Sequence, residues 1–410
     1  MKQTLTIFFL LLAQFSIAKV IVVGKDQLIT SLKYAISLAE DGDSILLQPG
    51  TYREGNIIIN KSVRLIGIGL PVLDGEGKHE ILTVSGERIV IKGIKFKDAG
   101  YSSMNDYAAI NLVDASYCII ENNIIDNAYF GIHVANAQNC IIRDNTIKGT
   151  GKSEQISGNG IHLWKCNDIV VLNNDINSHR DGIYFEFVTH SFIRGNNSYK
   201  NVRYGLHFMF SNNDAYMENT FRDNGAGVAV MYSHHVLMHS NTFIHNWGPS
   251  AYGILLKEIS DAQIVKNKFD ANTVGILMES TNRIEAGLNE FSNNGWALRI
   301  QASCNDNEIH HNNFSANSFD IATNGTTTLN RFFNNYWDKY EGYDLNRDGF
   351  GDVPYHPVSM YSMVIEQNPN AMLLMRSFMV TLLDKAEKAI PSLTPEFLTD
   401  EQPYMRRVQL

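Results

Sequence analysis

The chain has 410 residues, 44% of them hydrophobic and 19% charged, with 34 Lys+Arg against 43 Asp+Glu and a formal net charge of −9. That balance excludes a basic nucleic-acid footprint, and nine prolines with modest charge do not describe a disordered chain. Asparagine is the outlier, with 42 residues, while Pro249 is the only proline between Val72 and Val353. Such a composition points to strands, which tolerate little proline, and to a repeated task for Asn.

In chain order, Lys2, the apolar run Leu5–Ile17 and the small residues Ser16 and Ala18 before Lys19 predict a cleavable secretory leader over residues 1–18. No second run of about 18 apolar residues follows, so a soluble exported chain is expected. Residues 19–100 read as a cap and first rungs. Leu28, Leu32, Ala35, Ile36 and Ala39 line one side of a helix predicted over Asp26–Glu40. Short apolar runs then follow, at Ser44–Leu47, Val63–Ile66 and Val72–Leu73.

Residues 101–340 repeat. Glycine opens an apolar alternation at Gly131, Gly160, Gly182, Gly205, Gly227, Gly253 and Gly275, with spacings of 29, 22, 23, 22, 26 and 22. An Asn column tracks it: Asn123, Asn145, Asn174, Asn197, Asn219, Asn241, Asn267, Asn289, Asn313 and Asn335. Both columns slip at nearly the same places, so the unit is 22 residues with loop insertions. Each unit holds only short alternating runs, which are strands. The reading is all-β: a right-handed parallel β-helix with an N-terminal capping helix and a C-terminal helical tail. The Asn column is expected to be a ladder at a sharp turn, because Asn tolerates the left-handed region and stacked amides hydrogen-bond along the axis.

Cys118 and Cys140 lie 22 residues apart at one rung position, in a column continued by Ile169, Phe192 and Val236. They are either inert core thiols or a bridged pair. Residues 341–359 form an Asp/Gly-rich loop. Asp344, Asn346, Asp348 and Asp352, with Gly349 at the sixth place, match the first nine positions of a calcium loop, but Tyr355 stands where the bidentate Glu belongs. The segment is a calcium site or an ion-free turn. Residues 360–410 hold six of the thirteen methionines. One helix is predicted over Ala371–Ile390, either capping the last rung or docking on a partner through Met372, Met375, Phe378 and Met379. The tail 391–410 is expected to be dispensable for folding and needed for that docking.

The segments Gly158-Asn-Gly-Ile-His-Leu-Trp, Arg180-Asp-Gly-Ile-Tyr-Phe-Glu-Phe, Arg203-Tyr-Gly-Leu-His-Phe-Met-Phe, Asn335-Tyr-Trp-Asp and Asp344-Leu-Asn-Arg-Asp-Gly-Phe-Gly-Asp resemble the NosD family, and the order of the first rungs resembles pectate-lyase-like β-helices. The resemblance implies a periplasmic accessory protein in the maturation of nitrous oxide reductase. It implies as partners an ABC transporter permease with its cytoplasmic ATPase, a copper chaperone lipoprotein and the reductase, with membrane contact only through the permease.

Within each Gly-Ile-x-Val-x strand the second and fourth residues after Gly point outward. One outer face therefore carries His162, Trp164, Tyr184, Glu186, His207, Met209 and Met231 over four rungs. Outward Met and Trp at mid-solenoid mark an adaptable docking surface, a face that handles copper transiently, since thioether and imidazole suit that metal, or a packing surface covered by an insertion or a partner protein, with no metal. Arg180 and Arg203 at neighbouring turns either bind an acidic ligand or cap rung ends. The rival reading is a polysaccharide lyase or epimerase on the same scaffold. Its weakness is that the outer carboxylates Glu186 and Glu279 fall four rungs, roughly 19 Å, apart, too far for a catalytic pair.

Overall fold

The computed structural model describes residues 18–101, 107–151, 153–325, 329–374, 377–389 and 398–410. Positions 1–17 of the expected leader, Met375 and residues 391–397 of the expected docking tail lie outside these. Three sheets of 14, 12 and 13 strands form a parallel β-solenoid, each rung giving one strand to each sheet before the chain climbs to the next. Every strand pair in the three sheets is parallel. The 12-stranded sheet, called here the face sheet, runs from Ile57–Ile59 to Phe319–Thr323 and contains every Gly-initiated strand of the repeat.

Stacking identical positions makes the core. Phe221, Phe243, Phe269, Phe291, Phe314 and Trp337 form one ladder of rings with successive centroids 5.5, 4.7, 4.7, 4.9 and 4.1 Å apart. The glycines that open the face-sheet strands are required by the same stacking. A Cβ on Gly182 would lie 2.6 Å from the carbonyl oxygen of Gly205, and one on Gly227 would lie 2.5 Å from that of Gly253.

The Asn ladder exists, with two members and its cause corrected. It runs Asn123, Asn145, Asn174, Asn196, Asn219, Asn241, Asn267, Asn289, Asn312 and Asn335; Asn196 and Asn312, not Asn197 and Asn313, are the inward members. At each step the backbone N–H and the side-chain Nδ2 both donate to Oδ1 of the next Asn, as from Asn219 to Asn241 at 3.0 and 3.0 Å. The left-handed residue is the one before each ladder Asn, for example Asn122, Glu218 and Ser240. Asn is selected here because its amide both donates and accepts along the axis, not for its backbone freedom. A second buried ladder, Asn201, Asn224, Asn246, Asn272, Asn294 and Asn317, repeats the arrangement at another corner.

The cysteine column also shifts by one. It continues through Ile169, Ser191, Asp214, Val236, Ala262, Ile284 and Asn307, so Phe192 is not a member. All four cysteines are free and buried, and the Cys118 N–H donates to Cys140 Sγ at 3.4 Å. Asp214 is the misfit in this column. It accepts the Ser191 N–H at 2.7 Å through Oδ1, Oδ2 is buried without a partner, and burial pushes its carboxyl up to about 8. With the folded value above the ordinary 3.8, its contribution to stability is full below pH 3.8 and is lost as pH rises towards 8. Asp214→Asn, which copies Asn307 in the same column, should therefore stabilise the fold by on the order of 3 kcal/mol at pH 8 and by little at pH 4. Urea melts of both proteins across that range test this, and a gain independent of pH would refute the cause.

Both ends are capped. The helix α1 spans Leu32–Leu38, shorter than the predicted 26–40, because residues 24–29 fold into a turn and Leu28 is fully exposed. Leu32, Ala35 and Ile36 are buried on the first rungs. Glu54 accepts the Leu32 and Lys33 N–H groups at its start, and Lys61 Nζ donates to three carbonyls at its end, as orphan terminal groups require. At the other end the single predicted helix 371–390 is instead α2 (Met360–Gln367), a 3-10 turn (Pro369–Leu374) and α3 (Phe378–Ala389). These pack on the outside of the face sheet. The last rung is closed by residues 398–404, so this part of the tail is not dispensable for folding. Leu398 is in the core, and Asp400 takes the next place in the Asn ladder, accepting from both the N–H and Nδ2 of Asn335 at 3.0 Å. Deleting this tail would uncap the solenoid.

Candidate functional site

Extra residues enter at one corner, just before strands of the face sheet, and the described ones include 98–101, 149–151, 153–160 and 245–251. The predicted outer columns stand in register beside them. His133, His162, Tyr184, His207, Ala229, Leu255 and Leu277 are successive partners, as are Trp164, Glu186, Met209, Met231, Lys257 and Glu279. All seven predicted residues therefore share one face, and Glu186 and Glu279 are four strands apart, as expected.

The face is less open than the alternation implies. Its C-terminal half is covered: Tyr361 and Ile365 of α2 and Val380 of α3 bury Ala229, Leu255, Leu277, Trp296 and Phe319, with Met231 at the margin. Arg299 Nη2 meets Glu366 Oε2 at 2.8 Å across this contact. The helical segment thus uses its apolar residues on its own solenoid. Met372, Phe378 and Met379 remain on the outside, 41%, 81% and 58% exposed.

The N-terminal half is a polar ladder. Glu80 accepts from Asn111 Nδ2 at 3.0 Å, and Asn111 Oδ1 is 3.0 Å from His133 Nδ1. Ring centroids then step 5.1 Å from His133 to His162, 4.8 Å to Tyr184 and 4.7 Å to His207. At its end lies Asp181, fully buried and held by Arg203 at 2.9 and 2.6 Å, with His207 Nδ1 at 3.5 Å. Burial alone would raise the Asp181 carboxyl, but the hydrogen bonds from His207 and Arg203 hold it down at about 2. Arg203 also reaches Glu154 of the inserted 149–160 loop at 3.4 Å. It is thus engaged with two carboxylates of this chain.

Burial drives the His162 imidazole down to about 3, with the neighbouring His133 and Arg180 adding to it, and burial alone lowers His179 to about 4. Tyr184 is pushed up to about 12 by burial and then by Glu186 and Asp181. His162, His179 and Tyr184 are thus neutral at physiological pH. His162 Nε2 and His207 Nε2 are buried with no hydrogen-bond partner, as are Ser157 Oγ and Asn159 Oδ1 of the covering loop. These are donors and acceptors without partners among the described residues, and Arg180 Nε and Trp296 Nε1 are in the same state. The two imidazoles are separated by the Tyr184 ring. Among the described residues no group of three or more His, Cys, Asp or Glu is placed to hold a metal ion.

One feature escaped the sequence reading. Lys165, Phe187, Phe210 and Tyr232, each following a fourth-column residue, adopt left-handed φ of 52°, 55°, 51° and 51°. Phe187 and Phe210 stack at 5.3 Å, Phe210 and Tyr232 at 5.0 Å, and the first two are 45% and 41% exposed. An aromatic stripe held in a conformation costly for bulky residues borders the Met209–Met231 column. Its 22-to-23-residue spacing was visible, but not which side of the turn it would occupy.

The expected calcium loop folds on itself. Asp344 accepts the Asp348 and Gly349 N–H groups, Asp348 accepts that of Phe350, and Asp352 accepts that of Leu345. With no converging ligand group among the described residues, calcium finds no support there.

Comparison with known proteins now bears on this site. The family described as "Periplasmic copper-binding protein (NosD)" matches residues 147–348, which contain the Asp181 cluster, the outer columns from His162 and Trp164 onward and the aromatic stripe. Over these residues the chain is similar to the NosD family. Two relatives named "Probable ABC transporter binding protein NosD" match at full scale. The one from Pseudomonas aeruginosa is 29% identical over 393 residues, covering 90% of each chain, and that from Stutzerimonas stutzeri is 28% identical over 391 residues, covering 90% of this chain and 89% of the other. Among solved structures, the Dettilon tailspike protein superposes with a TM-score of 0.60 at 14% identity over 73% of this chain and 66% of that one, a likeness of fold alone. No helix among the described residues is long and apolar enough to cross a membrane.

Proposed function

We propose that this chain is a NosD-type periplasmic accessory subunit of an ABC-transporter complex needed to assemble the copper centre of nitrous oxide reductase. It acts without catalysis, as a docking and transfer platform for a copper chaperone and the reductase. The observation that carries this reading is the match, over 90% of each chain, to a relative named as an ABC transporter binding protein. This reading gives each part a role. The ladder His162–Tyr184–His207, with Trp164, Glu186, Met209, Met231 and the stripe Phe187–Phe210–Tyr232, is the platform for the chaperone and the reductase. Met372, Phe378 and Met379, together with Met375 in sequence, contact the transporter. Copper is cargo in this scheme. His162, His207, Met209 and Met231 supply soft and borderline donors along a track, and their spacing suits hand-over better than storage.

Affinity capture of the full chain from membranes of its source cells tests the subunit role. The permease and its ATPase should be recovered with it, and their absence under mild detergent would overturn the reading. Met209→Ala/Met231→Ala tests the face. It should leave the fold intact and lower the copper content of the reductase several-fold. Undiminished reductase copper would remove these sulfurs from the pathway.

A further inference from the structure

A cavity of about 970 Å³ lies at the C-terminal end of the solenoid, between the last face-sheet strand, the loop 338–359 and α3. It is separate from the ladder and from the outward residues of α3. Five aromatic side chains line it: Phe319, Tyr340, Tyr343, Tyr355 and Tyr361. Asp320 belongs to the lining through the logic of the repeat. It occupies the column of glycines that continues through Gly253 and Gly275 to Ala297, where a side chain would strike the carbonyl of the next rung. At the last strand no rung follows, so a carboxylate fits.

Asp320 is 3% exposed. Its Oδ2 lies 3.3 Å from Lys339 Nζ and 3.5 Å from the Tyr355 hydroxyl, while Oδ1 is buried with no hydrogen-bond partner among the described residues. Lys339 is already engaged, also donating to the Asn317 and Ser318 carbonyls. The open position is therefore an acceptor and calls for a donor. The open acceptor belongs to a carboxylate, so a cationic N–H donor is favoured over a neutral one. Aromatic faces around a carboxylate are chemistry that holds ammonium and guanidinium groups.

We propose that this cavity binds an organic cation, with Asp320 Oδ1 accepting an N–H of its ammonium or guanidinium group and the tyrosine rings facing its charge. The group is either a free small molecule or a Lys or Arg side chain of the transporter. Only the second source rests on the accessory-subunit reading above.

Calorimetric titration of the full chain with arginine amide, and with glucose as an uncharged donor, tests the chemistry. Arginine amide should bind saturably and glucose should not. Asp320→Asn should weaken binding by about tenfold or more. Tyr343→Ala, at a 54% exposed rim position, should weaken it about threefold without lowering the melting temperature, which guards against misfolding of the first variant. If arginine amide does not bind but Asp320→Asn, shown to be folded, loses the transporter that wild type captures, the cation is the partner's side chain and the assignment stands. If wild type captures no transporter but arginine amide binds through Asp320, the cavity assignment stands and the subunit reading fails. Preference for glucose, equal binding by both variants, or no binding together with undiminished capture by Asp320→Asn would overturn the proposal.

Discussion

Replacing Asp400 with Ala should destabilise the C-terminal end of the solenoid by about 4 kcal/mol. The carboxylate is completely buried. Oδ2 accepts the Asn335 N–H, the Asn335 Nδ2 and the Trp337 Nε1, all at 3.0 Å, and Oδ1 accepts the Asn334 N–H at 3.1 Å. Alanine would leave the N–H groups of Asn334, Asn335 and Gln402 and the Trp337 Nε1 without this acceptor, while Asn335 Nδ2 keeps the Ile309 carbonyl; each lost acceptor costs roughly 1–3 kcal/mol when water cannot reach the donor. The cost stays near the low end of their sum because the end can open and hydrate. Hydrogen exchange should therefore show residues 331–337 and 398–404 losing protection, while the ladder from Asn123 to Asn267 keeps it. Asp400→Asn retains one acceptor oxygen and should lose about half as much. Uniform loss of protection along the chain, or a change below about 1 kcal/mol, would contradict the capping role.

The second large effect is expected at Arg203. Arg203→Met removes both bonds to the buried Asp181 and leaves Arg180 Nε at 3.9 Å, His207 Nδ1 at 3.5 Å and the Tyr204 N–H at 3.3 Å as its remaining partners. Breaking a buried pair from one side costs about 3–5 kcal/mol at neutral pH. In the intact protein the folded Asp181 value of about 2 lies below the ordinary 3.8. The contribution of the pair is thus complete above pH 3.8 and fades only as pH falls towards 2. In the variant, burial without Arg203 raises the carboxyl, which reverses the sign. The penalty is then present at high pH and disappears as pH falls to about 4. Urea unfolding at pH 7 and pH 5 should show the gap between the two proteins narrowing on acidification. A gap of constant size would mean that Asp181 is not the titrating group. Arg203 also touches Glu154, so the variant should loosen the 149–160 loop over the ladder, readable as faster proteolysis there.

Much of this was legible from side-chain period alone. The Gly and Asn columns set the rung, and the alternation put His162, Tyr184 and His207 in one column and Trp164, Glu186, Met209 and Met231 in the other, with the registry the structure has. Errors of one place arose where the sequence offers two neighbours of like kind. Asn196-Asn197 and Asn312-Asn313 each present two amides, and spacing cannot say which faces inward when rungs vary between 22 and 23 residues. The column Cys118–Cys140 slipped from Ser191 to Phe192 because a buried column was expected to stay apolar. Ser191 and Asp214 are tolerated there because each accepts a backbone N–H from the preceding rung.

By itself, then, the sequence determined the repeating unit, the parallel stacking and the outward residues of the face sheet. Each depends on a local period of two within a strand and about 22 between rungs. Only the tertiary structure decided how much of that face is open and how the solenoid ends. Arg299 meets Glu366 across 67 residues and Asp400 meets Asn335 across 65, outside any period a repeat can carry. Such contacts are set by the shape and unsatisfied polar groups of an end already folded. The asparagines show the division most clearly. Their spacing announces a ladder, but that it ends on an aspartate from the tail follows from where the last open amide needs an acceptor.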